Sequence, residues 1–307
     1  MSSNITLITP TYLPDIERFA ILRESIKKFY PGASHLSIVD YRHMGEFRDR
    51  FEFEAGLTLV SSKEVLPLSL VKQMQFRDGF LWRGVERVAW KLWLDSSAIR
   101  GWKIQQLAKI HALAAISTEN GVFLDSDVFI CRKISDSNFL NNKNTILLES
   151  KATNAEDYSL DVATYIVLKE RLHNIIEMKN FIHVGATFKK RTARTLLAIA
   201  NAKSNGRFEK KFLEQPLPSE YNMLGRVASK YEEYDGYLKY CFDPRGLTIE
   251  LRYVEQLCKT SAAHFLENQM GSREAIYALL QSNLNIDPAE YKAAALGFIN
   301  NAKIINS

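Results

Sequence analysis

The chain is short of cysteine, of long apolar runs and of concentrated charge, and each shortage removes a class of protein. Cysteine occurs three times in 307 residues, at Cys131, Cys241 and Cys258. An odd, widely spaced set builds neither a disulfide framework nor a zinc site, and it suits a reducing, cytoplasmic setting. No stretch approaches the ~18 apolar residues that a membrane-crossing helix needs. The N-terminus has no basic segment leading into an apolar core, so no signal peptide is expected. Internal repeats and low-complexity segments are absent. Charge is nearly balanced, with 40 Lys+Arg against 35 Asp+Glu and a net charge of +5. That excess favours an anionic substrate or peripheral contact with an anionic membrane at its inner face. It is too scattered for nucleic acid, which calls for a denser basic cluster.

What remains is an ordinary globular composition, 46% apolar and 24% charged, long enough for one large α/β domain or two smaller ones. Residues 5–9 read as an apolar strand closed by Pro10. Asp15 is a candidate N-cap for a helix over 16–29, where Phe19, Leu22, Ile26 and Phe29 share one face. Pro31-Gly32 ends that helix. Further strands are expected at 36–39, ending at Asp40, and at 57–60. This β-α-β rhythm predicts a mostly parallel sheet. All four tryptophans (Trp82, Trp90, Trp93, Trp102) lie within 82–102, as the packing core of a helical insertion at about 63–100 or as a stacking surface. A helix over 101–117 leads through Asn120-Gly121 into an apolar run. Strands are expected at 145–149 and 182–188, a helix at 191–202 and a mobile loop at 204–218. Ser219 caps a helix over 220–230. Residues 271–307 read as a C-terminal helical extension, with helices at 272–282 and 287–300, the last opened by Asp287-Pro288.

The most informative segment is 122–130, Val-Phe-Leu-Asp-Ser-Asp-Val-Phe-Ile. Its apolar, β-branched and aromatic residues predict a buried strand. Asp125 and Asp127, at i and i+2, then project together from one face or from the strand's exit. Two unpaired carboxylates are costly to bury. A hard divalent cation such as Mg²⁺ or Mn²⁺ removes that cost; the plainer alternative is a strand end whose acids cap a turn. In open α/β sheets ligands bind beyond the carboxyl ends of the strands. There the sequence gathers Thr11, Tyr12 and Asp15 after the first strand, Asp40 after the second, the acid pair, and Glu220 at a helix start. Such a cleft suits a diphosphate held through a metal.

Through Thr9-Pro10-Thr11-Tyr12, Asp40 and Phe-Leu-Asp-Ser-Asp the chain resembles nucleotide-sugar glycosyltransferases of the GT-A type. Gly101-Trp102-x-x-Gln105-Gln106-x-x-Lys109, the Asp-x-Asp segment and Ser219-Glu220-Tyr221 resemble, more narrowly, a poorly characterised bacterial glycosyltransferase-like family associated with surface polysaccharide. The resemblance covers roughly residues 4–270. It implies an α/β, GT-A (Rossmann-like) mixed sheet flanked by helices, over a domain of residues 1–270. It also implies roles: Asp127 as a direct ligand of Mn²⁺ or Mg²⁺, and Asp125 on the donor ribose or on the metal through water. Thr9, Thr11, Tyr12 and Asp40 would hold the base and ribose of a UDP- or GDP-linked donor. Lys109, one helix turn from Gln105, would reach the diphosphate or sugar with Gln105 and Gln106, unless these form a solvated helix face. Glu220 would be the general base of an inverting transfer, or else merely complement the helix dipole. The resemblance offers His264 as a third metal ligand, ahead of His183, or as an ordinary core residue. Gly185 could admit a ligand closely, and Asp157 and Tyr158 lie where a glycan or lipid-linked acceptor would enter. Two other readings compete: a haloacid-dehalogenase-type phosphatase, which also carries Asp-x-Asp after an apolar strand, and a non-catalytic nucleotide- or glycan-binding module.

Overall fold

A computed structural model of the chain describes residues 4–78, 97–152, 155–170, 178–241, 248–251, 276–280 and 288–301. Its strands are β1 (Ile5–Thr11), β2 (Ser34–Val39), β3 (Leu57–Ser61), β4 (Asn120–Phe123), β5 (Val128–Ile130), β6 (Leu140–Asn141), β7 (Asn144–Lys151), β8 (Lys179–Asn180), β9 (Thr187–Lys189), β10 (Tyr237–Cys241), β11 (Thr248–Leu251) and β12 (Tyr277–Leu280). The main sheet runs β3-β2-β1-β4-β9. Its first four strands are parallel and β9 is antiparallel to β4. The expected α/β architecture, a mixed and mostly parallel sheet flanked by helices, is therefore present.

Side-chain alternation along the pleat explains the two layers. Leu7, Val39 and Val122 face a core shared with the helix Ile16–Phe29, through Phe19, Leu22, Ile26 and Phe29. Ile8, Ile38 and Phe123 face the opposite core, shared with the helix Ser97–Ala115 through Leu107, Ile110 and Leu113. Pro10 does not close β1: it stays in register with Ile38. On its other flank β4 pairs only with residues 5–8, so the missing proline N–H interrupts no bond there.

Several expectations are corrected. Residues 122–130 are not one strand. The chain leaves the main sheet after Phe123, with Leu124 N–H donating to Ile8 (3.1 Å), and turns through Asp125-Ser126-Asp127, closed by Val128 N–H to the Asp125 carbonyl (3.2 Å). It resumes as β5 in a separate sheet, β11-β12-β5. The apolar ends of the segment are buried in both sheets, while its charged centre lies between them. Strand 182–188 shrinks to Thr187–Lys189, preceded by a loop with Gly185 at φ +76°. The loop expected at 204–218 contains a helix, Phe208–Glu214, because Phe208 and Phe212 stack at 5.9 Å and are fully buried. The helix expected at 272–282 gives way to β12, which pairs with both β11 and β5. The final helix is present as Pro288–Asn301. Tyr291, Ala294, Ala295 and Ile299 of that helix join the core beneath Ile16–Phe29, so this C-terminal stretch is integral to the packed body. Trp82, Trp90 and Trp93 of the insertion lie outside the described residues.

Candidate active site

The four parallel strands of the main sheet all present their carboxyl ends to one edge, at Thr11, Val39, Ser61 and Phe123. The acidic turn lies at that edge. Asp125 is half-exposed, Asp127 half-buried and Ser126 buried. Buried contacts fix the turn from three sides. The Asp125 carboxylate accepts from Lys109 Nζ at 2.6 Å. Ser126 Oγ donates to Asp15 Oδ2 at 2.9 Å. The Asp127 carbonyl accepts from the Tyr291 hydroxyl at 3.3 Å.

Beneath the turn, Lys109 is 1% exposed and Glu220 is fully buried, 3.0 Å apart. Lys109 also donates to the Tyr221 hydroxyl at 3.2 Å and lies over that ring, 4.9 Å from its centroid. Burial works to lower the pKa of the Lys109 ammonium, but Asp125 and Glu220 together hold it well above the usual lysine value. Burial pushes the Glu220 carboxyl up, and Lys109 opposes it. With its amide nitrogen turned toward the carboxylate, buried Gln106 donates to Glu220, and its oxygen accepts from Trp102 Nε1 at 2.9 Å. Ser219 caps this helix as expected, its hydroxyl accepting from Asn222 N–H at 3.2 Å.

Glu220 has no exposed surface and is engaged by Lys109 and Gln106. Lys109 points inward to two carboxylates, those of Glu220 and Asp125. Gln105, by contrast, is only half-buried.

The nucleotide-side candidates separate in the same way. Thr9 is fully buried in β1 and its hydroxyl is 2.9 Å from His35 Nε2. Arg23 donates to the other ring nitrogen, Nδ1, at 2.9 Å, which assigns the proton to Nε2 and makes Thr9 the acceptor. Burial, helped by Arg23, holds the His35 pKa well below the usual range, so the ring is neutral. Thr9 thus belongs to an Arg23–His35–Thr9 chain inside the fold. Thr11 is 2% exposed at the end of β1, and among the described residues its hydroxyl has no hydrogen-bond partner. Tyr12 is half-buried, its phenol pKa raised by burial and then by Asp15. Burial alone would raise the Asp40 carboxyl, but hydrogen bonds from the Arg42 side chain and backbone hold it below its ordinary value.

Asp15 stands before the first helix without capping it. Its carboxylate is buried between Ser126 and Arg18, whose Nη1 donates at 3.0 Å. Burial raises its pKa, and Ser126 and Arg18 oppose that rise. Arg18 also stacks over the Tyr291 ring at 5.5 Å. His183 is half-buried on the loop that hydrogen-bonds to both sides of Phe123, through Gly185 N–H (3.2 Å) and the Ala186 carbonyl (3.0 Å). Burial lowers the His183 imidazole to about 4. Gly185 makes room for Tyr277: a Cβ there would stand 2.5 Å from the Tyr277 hydroxyl. Tyr158 is 47% exposed; His264 and the Asp157 side chain lie outside the described residues.

Among the described residues, no three His, Cys, Asp or Glu side chains are gathered as a metal-holding group. The donor chemistry still fits a hard cation. Mg²⁺-type sites commonly use one or two carboxylates and complete the shell with water and substrate phosphate oxygens. Asp125 and Asp127 supply that pair, and Asp125 already carries a Lys109 ion pair. No local signal announces the Lys109–Glu220 or Tyr291–Asp127 contacts, whose partners lie 111 and 164 positions apart. The Asp15–Arg18 pair was detectable at its i,i+3 spacing.

In open, mostly parallel α/β sheets ligands bind beyond the carboxyl ends of the strands, the edge at which the acidic turn lies. The chain belongs to the family of unknown function DUF6492, whose model matches residues 2–302. No curated protein matches the sequence. Solved structures align over most of its length at low identity, and those named here are glycosyltransferases. The apo-form glycosyltransferase GlyE of Streptococcus pneumoniae TIGR4 is 7% identical, with a TM-score of 0.45 over 96% of this chain and 62% of GlyE. This chain therefore spans less than two thirds of the GlyE chain. The galactosyltransferase LgtC, in complex with donor and acceptor sugar analogs, is 8% identical, with a TM-score of 0.47 over 95% of each chain. Mouse xyloside xylosyltransferase 1 is 10% identical, with a TM-score of 0.43 over 92% of this chain and 99% of its own. No described helix is long and apolar enough to cross a membrane.

Proposed function

We propose that the chain is a GT-A-type glycosyltransferase that takes a sugar from a UDP- or GDP-linked donor and passes it to a glycan or lipid-linked acceptor of a surface polysaccharide. The observation that carries this reading is the Asp125-Ser126-Asp127 turn, immobilised at the carboxyl edge of the sheet by buried partners while its carboxylates retain solvent access. Rigid support beneath an accessible acidic turn is what a ligand-binding turn requires. Asp127 would hold the cation directly, and Asp125, already tied to Lys109, would face the donor ribose or the metal's water shell. Mn²⁺ or Mg²⁺ supplies charge neutralisation for the departing diphosphate. Thr11, whose buried hydroxyl has no partner among the described residues, and Tyr12 and Asp40 beside it would bind the nucleoside. Glu220 supports the site through Lys109, so the stereochemical course is not assigned to it.

A thermal-shift series with UDP, GDP and their sugar conjugates, with and without Mn²⁺, tests the reading. Stabilisation by at least one nucleotide diphosphate, larger with Mn²⁺, is expected. Absence of stabilisation by all of them would overturn it.

A further inference from the structure

We propose that Tyr291 is a positioning residue through which the C-terminal helix Pro288–Asn301 holds the acidic turn in its binding shape. This rests on the reading of that turn as the metal and donor site.

The helix is fixed along Ile16–Phe29 at both ends. Lys292 pairs with Glu17 at 3.5 Å near its start. Lys28 donates to the carbonyls of Ile299 and Asn300 near its end, where a cation complements the helix dipole. The two helices therefore run in the same direction, and this docking brings Tyr291 to the turn. Tyr291 is 1% exposed, its ring lies beneath Arg18 and its hydroxyl donates to the Asp127 backbone carbonyl. Arg18 in turn holds Asp15, and Asp15 accepts from Ser126. The two residues following Asp125 are thus gripped by one connected set of side chains, with Tyr291 bonding directly to the residue proposed to hold the cation. The docked helix thus reaches the turn through the hydrogen bond from the Tyr291 hydroxyl to the Asp127 carbonyl.

Tyr291→Phe removes the hydroxyl and keeps the ring, its packing and the Arg18 contact. Ala295→Gly loosens the same buried helix face without touching the turn, and serves as the comparison. Two readouts are taken on full-length protein: amide hydrogen exchange of a peptide covering 124–130, and Mn²⁺ binding by electron paramagnetic resonance. With one hydrogen bond lost, Tyr291→Phe should speed exchange of the turn amides and weaken Mn²⁺ binding, each by about three- to tenfold, with exchange within 288–301 unchanged. Ala295→Gly should loosen 288–301 and alter the turn less. Wild-type-like turn exchange in Tyr291→Phe, or an equal turn effect in Ala295→Gly, would overturn the assignment to the hydroxyl. If the wild type binds no Mn²⁺, it is the metal-site reading that fails, and the exchange comparison still decides the role of Tyr291.

Discussion

Replacing Glu220 by Gln removes one of the two negative charges beside the buried Lys109 and leaves the shape almost unchanged. In the native protein the Lys109 ammonium, 1% exposed, sits 3.0 Å from Glu220 and 2.6 Å from Asp125. Breaking a buried pair by removing one charge typically costs about 3–5 kcal/mol, since the remaining charge stays buried. Asp125 remains beside Lys109 here, and it is half-exposed, so the expected loss is somewhat smaller, about 2–4 kcal/mol. For a chain of this size that corresponds to a fall in Tm of roughly 3–6 °C. Thermal unfolding followed by circular dichroism measures it, with turnover assayed well below the new transition. Lys109→Met combined with Glu220→Gln should recover part of the loss, because it removes the stranded charge as well. A Glu220→Gln protein with native Tm that has lost transfer completely would refute this reasoning and restore Glu220 as the base.

Two further substitutions test the surroundings. Asp161 is 3% exposed, and burial raises its carboxyl to about 6. A carboxyl raised on folding contributes stability at low pH that is lost as pH climbs through its folded value. Asp161→Asn should therefore match the wild type below about pH 4 and exceed it by about 2–3 kcal/mol above pH 6, as measured by urea unfolding across that range; a constant difference would contradict it. Gly225 lies in the helix Glu220–Lys230, where a Cβ would stand 2.2 Å from the Phe181 ring. Gly225→Ala should cost about 1–3 kcal/mol and speed hydrogen exchange in 181–186; unchanged stability would show that Phe181 moves aside freely.

Local signals carried much of the fold. Apolar strands between turn residues, and Phe19, Leu22, Ile26 and Phe29 at helical spacing, correctly anticipated the parallel sheet and its first helix. Where long-range pairing decides, the reading failed. Residues 122–130 look like one strand because each end is fully buried, but the ends are buried in different sheets, and only the partners β1 and β12 reveal the break. Residues 277–280 are apolar enough for helix or strand, and β5 selects strand. The site shows the same division. The acid pair and the Ser-Glu-Tyr helix start were visible as residue types, yet the direction in which Glu220 and Lys109 face follows from their meeting across the fold. Spacing within the chain does not encode that meeting. Thr9 was singled out by its motif although its hydroxyl serves His35, a partner that a strand pattern cannot disclose.

The central claim is that the turn at Asp125 and Asp127 binds a metal–nucleotide diphosphate, and titration calorimetry of Asp127→Asn against wild type tests it most directly, with UDP and GDP each in the presence of Mn²⁺. The wild type should bind at least one of the two. Loss of a charged, direct metal contact should weaken that binding by about 1.5–3 kcal/mol, or roughly 10- to 150-fold, with little change in Tm because Asp127 is half-buried at the edge of the fold. Equal, metal-dependent affinity in the variant and the wild type would contradict the claim.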